Sequence, residues 1–133
     1  MRELTNIKKY GGYFHDGLLY DIQIKDSDIL LFIESAQMDP DEFEKGFKLT
    51  KDNLLKGILC LKNVTKVFVN RKLSDHSLSM ISECAEIYDL FIEDNKVEVN
   101  ISWSKYDDKS FDDFTSNEIY CERVIFYIDE SDG

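Results

Sequence analysis

Residues 86–103 place two strand-like segments on either side of a turn, and the second alternates strictly between apolar and polar side chains. "EIYDLFIE" (86–93) is followed by "DNK" (94–96) and "VEVNISW" (97–103). On an extended chain Val97, Val99, Ile101 and Trp103 fall on one side, and Glu98, Asn100 and Ser102 on the other. A period of two marks a strand with one buried face. It also pins the register, because a slip of one residue turns every apolar side chain to water. Asp94-Asn95 suits a tight reversal, so this stretch predicts a β-hairpin.

The same period recurs along the chain. Leu18, Tyr20, Ile22 and Ile24 alternate with Leu19, Asp21 and Gln23. "KDSD" (25–28) suits a turn, and "ILLFIES" (29–35) is apolar on both faces, as a covered strand is. "GILCL" (57–61) and "KVFVN" (66–70) predict two strands joined tightly through "KNVT". "EIYCERVIFYID" (118–129) predicts one long final strand. Residues 3–10 suit a short helix or turn ended by Gly11-Gly12, and the polar stretch 36–55 a loop with one helical turn near Asp41–Lys45. Residues 73–86 fit either a short helix or an irregular crossing. The fold class expected is mainly β, α+β at most. About seven antiparallel strands would form a meander, sandwich or partly closed barrel with one or two short helices. The 133 residues fit a single domain (1–133), with 130–133 as a frayed tail.

Composition narrows the function classes. The net charge is −11. Residues 1–66 hold ten Lys/Arg against eleven Asp/Glu, and residues 67–133 hold six against sixteen. Such a chain is poorly suited to nucleic acid or anionic membranes, since both are bound by releasing counterions with Lys and Arg. It is well suited to a basic protein partner. No apolar run approaches a membrane span, and "MRELTNIKKYGG" lacks the apolar centre of a signal peptide. Cys60, Cys84 and Cys121 are odd in number and have no paired spacing, which fits reduced thiols and a cytoplasmic location. No glycine-rich phosphate loop, CxxC, HExxH or calcium-loop spacing is present, so no cofactor or metal is expected.

Two stretches carry possible chemistry. His15 and His76 each stand beside an aspartate, Asp16 and Asp75. A histidine with a carboxylate is the smallest general-base unit, so His15, Asp16 and His76 are the candidates for a small hydrolase or metal-dependent enzyme. Against this, neighbours on an extended chain point to opposite faces, and no nucleophile stands in a recognisable setting. The structural alternative for "YFHDG" (13–17) is a turn. Asp16-Gly17 would reverse the chain, with Gly17 at positive φ and Tyr13 and Phe14 anchored in the core. The second stretch is "SKYDDKSFDDFTSN" (104–117), where Asp107, Asp108, Asp112 and Asp113 surround Phe111 and Phe114. These aromatics either fold back onto the sheet or anchor a lysine- and arginine-rich partner.

The segments "FHDGLLYDIQI", "KGILCLKNVTKVFVN" and "ERVIFYID" resemble those of small bacterial all-β proteins, some of them immunity proteins of polymorphic toxin systems. The resemblance covers about a third of the chain and implies a protein that binds and neutralises a cognate toxin. It assigns no interface residue. The leading expectation is a non-enzymatic acidic binding protein of immunity or inhibitor type. It would dock a basic partner through Asp107, Asp108, Phe111, Asp112, Asp113 and Phe114. The alternatives are the enzyme above and a self-associating structural component. The oligomeric state is not legible in the sequence.

Overall fold

The computed structural model of the chain describes residues 1–74, 78–103 and 113–131. Alternation becomes strand wherever it was strong. Val97, Val99, Ile101 and Trp103 are buried, while Lys96, Glu98, Asn100 and Ser102 stay partly open. The described strands are β1 (Arg2–Glu3), β2 (Gly17–Lys25), β3 (Asp28–Gln37), β4 (Leu54–Lys62), β5 (Lys66–Val69), β6 (Lys72–Ser74), β7 (Ala85–Ile92), β8 (Lys96–Trp103), β9 (Asp113–Tyr120) and β10 (Arg123–Ile128). Two short 3-10 helices, Ile7–Phe14 and Pro40–Glu42, complete the elements. The antiparallel β class is as expected, but there are ten strands rather than seven.

The strand order is β1-β10-β4-β3-β2-β7-β8-β9-β5-β6, an open sheet whose end strands are not paired to each other. The β2–β3 and β7–β8 hairpins form as the turn residues required. The other connections depart from expectation. β4 and β5 do not pair with each other; β4 lies between β3 and β10, and β5 between β9 and β6. The long final strand is divided at Cys121-Glu122 into β9 and β10. The reason is geometric. The β4–β5 chain and the β9–β10 chain run antiparallel, and both turn the same corner, with Lys62 opposite Arg123 before it and Lys66 opposite Tyr120 after it. At the bend Thr65 N donates to Tyr120 O (2.8 Å) and Glu122 N to Lys62 O (2.8 Å). Strands that switch from one part of a sheet to another in this way make the corners of β-sandwiches.

One buried cluster takes inward side chains from both parts of the sheet, including Leu31, Leu59 and Phe126 from one and Ile87, Val99 and Ile119 from the other. The helix Ile7–Phe14 packs on β7 and β3 and adds Ile7, Tyr10 and Phe14. It runs through Gly11-Gly12, where an end was expected, because Tyr10 and Phe14 bury on the same side. Residues 78–84, part of the ambiguous stretch, are irregular. In the expected frayed tail, Glu130 accepts from Arg2 Nε and Nη2 (both 2.9 Å) and from Lys48 N (2.9 Å). Cys60 and Cys121 are buried free thiols, each pushed up in pKa first by burial. Among the described residues no helix is long and apolar enough to cross a membrane.

Candidate functional site

The opening of β2 is built as a turn. Phe14 is fully buried, its ring edge-on to Phe126 at 6.3 Å. The chain then reverses: His15 N donates to Gly12 O (3.3 Å) and Asp16 N to Ile87 O (2.9 Å). The positive φ falls on Asp16 (66°), not on Gly17. Aspartate is one of the few residues that tolerates this region. Gly17 is needed for another reason. A Cβ there would lie 2.3 Å from Glu34 O and 2.9 Å from Phe14 O, so only glycine lets β2 enter between β3 and β7. Tyr13 is only half-buried and donates its hydroxyl to Glu42 Oε2 (3.1 Å).

The turn also reaches across to β7. That strand carries a bulge, since Ile87 faces Ile101 and Asp89 faces Asn100, leaving Tyr88 as the extra residue. A bulge re-aims side chains and frees backbone groups. His15 Nδ1–H donates to the carbonyl of Tyr88, clamping the bulge from outside. The left-handed conformation of Asp16 brings its Oδ2 to 3.6 Å from His15 Nε2, and Asp89 Oδ1 lies 3.7 Å from Nδ1. The two neighbours therefore meet, contrary to the expectation for an extended chain. The pKa of His15 is raised, first by the Tyr88 carbonyl, then by Asp16, with Asp89 and Glu86 adding to it against desolvation.

The folded His15 binds its proton more tightly than the free side chain, whose ordinary value is 6.5. Its contribution to stability is thus complete below that ordinary value and is lost as pH rises through the raised folded value. In denaturant unfolding from about pH 5 to about pH 9, the difference between the natural protein and His15→Gln should shrink as pH rises. A difference that grows with pH, or does not change, would contradict the clamp.

For general-base chemistry the arrangement is poor. His15 is half-exposed, and its carboxylate neighbours lie beyond hydrogen-bond length. A cleft of about 900 Å³ lies elsewhere, between the β2–β3 turn and β5–β6, and is lined by Ile24, Ile29, Val67, Phe68 and Leu73 among others. Among the described residues no group of three or more His, Cys, Asp or Glu is placed to hold a metal. His76 lies outside the described residues, so its distance from His15 is not part of this picture.

The outward surface of β7–β9 is the feature the sequence reading missed. Register sets the rows. Glu86, Ser102 and Phe114 lie side by side, then Asp89, Asn100 and Ser116, then Phe91, Glu98 and Glu118. Tyr88, Phe91 and Phe114 are each about half-exposed, and the Tyr88 and Phe114 rings meet edge to face at 5.8 Å. His15 packs edge-on to Tyr88 at 5.3 Å. Lys96 is a cation on this face and pairs with Glu118 at 3.7 Å. Half-exposed aromatic rings set among carboxylates suit a cationic, partly apolar partner. Tyr88 faces out in step with Glu86, but the bulge that also brings Asp89 and Phe91 to the outer side is not visible in "EIYDLFIE".

Of the residues expected to bind, Asp107, Asp108, Phe111 and Asp112 lie outside the described residues, and Asp113 is described only in its backbone. Phe114 is on the face just described. Trp103 and Asp113 pair with each other next to Ala85. Comparison with protein-family models, curated proteins and solved structures finds no match to the chain.

Proposed function

We propose that this chain is a non-enzymatic binding protein of immunity or inhibitor type, acting in the cytoplasm, that docks a basic protein on the outer face of β7–β9. The observation that carries the reading is the trio Tyr88, Phe91 and Phe114, half-exposed among Glu86, Asp89, Glu98 and Glu118. Rings of this kind supply contact area, and the carboxylates steer a partner of opposite charge. Asp107, Asp108, Phe111 and Asp112 precede Phe114 in the sequence and add four acidic or aromatic residues to the proposed docking set. A stable complex would cover about 800 Å² of each protein. The buried thiols Cys60 and Cys121 suit a reducing compartment.

The test is capture of basic proteins by the immobilised chain at low ionic strength and at ~0.5 M salt. A second sample carries Glu98→Gln and Glu118→Gln together with Asn at positions 107, 108, 112 and 113. The expected result is a basic protein retained at low salt, released at high salt, and bound at least roughly tenfold more weakly by the variant. Retention indifferent to both salt and the variant sinks the reading.

A further inference from the structure

Three carboxylates crowd one imidazole at the end of the docking face. Asp16 lies 3.6 Å from His15 Nε2, Asp89 lies 3.7 Å from Nδ1, and Glu86 acts on the same ring electrostatically. The ion pairs that Asp16 and Asp89 make among the described residues are both with His15, whose Nδ1–H is already given to the Tyr88 carbonyl. This corner therefore holds more negative charge than its own histidine can neutralise. Above it stand two half-exposed rings, Tyr88 and Phe114, crossed at 80°. In an edge-to-face pair one ring lends its edge and the other its face, so ring surface remains open toward water. Tyr88 faces out, and the bulge leaves Asp89 on the same outer side and partly exposed beside it, so acid and ring share one corner.

A cation for this corner must do two things at once. It must lie flat against a ring, and it must offer several donors in a plane to separated oxygens. Guanidinium does both, because it is planar, weakly hydrated and carries five N–H groups in a fixed fork. Lysine's ammonium is a compact, strongly hydrated point charge. It can approach either the ring or one carboxylate, but it does not span them in the same geometry.

Resting on the docking reading above, we infer that the corner formed by Asp16, Glu86, Tyr88, Asp89 and Phe114 is a receptor for one arginine side chain of the partner. The guanidinium lies on the exposed ring surface and donates to the surrounding carboxylates. His15 is a positioning residue: it holds the bulge that presents Tyr88 and Asp89. The rest of the face, around Phe91, Glu98 and Glu118, supplies contact area and steering without this selectivity.

The probe is N-acetyl-arginine amide, titrated into the full chain and followed by NMR at the ring signals of His15, Tyr88 and Phe114. N-acetyl-lysine amide and the norleucine amide serve as controls. The expected result is saturable movement of these three residues, with arginine bound at least roughly fivefold more tightly than lysine and no saturation by norleucine. The double variant Glu86→Gln, Asp89→Asn, with its amide spectrum otherwise unchanged, should weaken arginine roughly tenfold. Equal binding of arginine and lysine, movement centred elsewhere, or indifference to the double variant overturns the receptor. If that happens while salt-sensitive capture of a basic protein persists, the receptor alone is wrong. If capture also becomes indifferent to salt and to the acidic variants, the docking reading falls with it.

Discussion

Gly17→Ala is expected to destabilise the fold by about 3 kcal/mol, a large change for the addition of one methyl group. The added Cβ would sit 2.3 Å from Glu34 O, 2.9 Å from Phe14 O and 3.2 Å from Ser35 Cα, all of them backbone atoms that cannot swing aside. Relief requires β2 to withdraw from β3, or the helix end at Phe14 to move, and Phe14 is fully buried. Asp16→Gly next to it should change stability by less than about 1 kcal/mol, because glycine accepts the positive φ that aspartate already tolerates there. Urea unfolding of the two variants side by side measures this. If Gly17→Ala costs no more than Asp16→Gly, the close approach of β2 to its neighbours is wrong. A smaller second consequence should follow in the first variant: a displaced turn releases the His15 clamp on β7.

Trp103→Ala is expected to cost about 4 kcal/mol. Trp103 is buried at the end of β8, and its indole Nε1–H donates to Thr115 Oγ1 at 2.8 Å. The same hydroxyl accepts from Asn117 Nδ2 at 3.0 Å, and that amide also donates to Val99 O at 3.0 Å. Truncation therefore opens a large cavity and removes one donor from a partly buried hydroxyl, two costs that add. Phe114→Ala, at the second residue of β9 and half-exposed, should stay within about 0.5 kcal/mol. The same Phe114 change should weaken partner binding, which separates a residue kept for packing from one kept for contact. Similar losses of stability for the two variants would contradict this division.

Much of the strand content could be read from individual segments. Val97, Val99, Ile101 and Trp103 declared their buried side through spacing alone, and Asp94-Asn95 declared the reversal between β7 and β8. Such signals are local, since side-chain direction along a strand follows from backbone geometry within a few residues. "YFHDG" was legible as a turn for the same reason, although the roles of its last two residues were exchanged: Asp16 takes the positive φ, and Gly17 answers a steric demand from β3. The tightest part of that demand comes from Glu34, distant in sequence, so inspection of residues 13–17 could not reveal it.

The candidate site was only half legible. Its charge was visible as the acid excess of residues 67–133, and Phe114 was picked out among the aspartates. Tyr88, Phe91, Glu86 and Asp89 were passed over because 86–93 reads as an ordinary strand. The bulge between Ile87 and Asp89 changes which residues face out, and the Tyr88 carbonyl within it is bonded by His15 from the other half of the chain.

Sequence by itself therefore determined the antiparallel β class, the inward side chains of β8, the position of the first turn and the surplus of carboxylates in the second half, whereas in β2 the buried residue is Leu19 and not its alternating neighbours Tyr20 and Ile24. Tertiary structure alone decided the strand order, the shared corner at which the β4–β5 and β9–β10 chains bend, and the meetings of His15 with Tyr88 and of Tyr88 with Phe114. The physical reason is range. A period of two tells a strand which face to bury, but partners are chosen by ladders, close approaches and bends that join residues far apart in the chain.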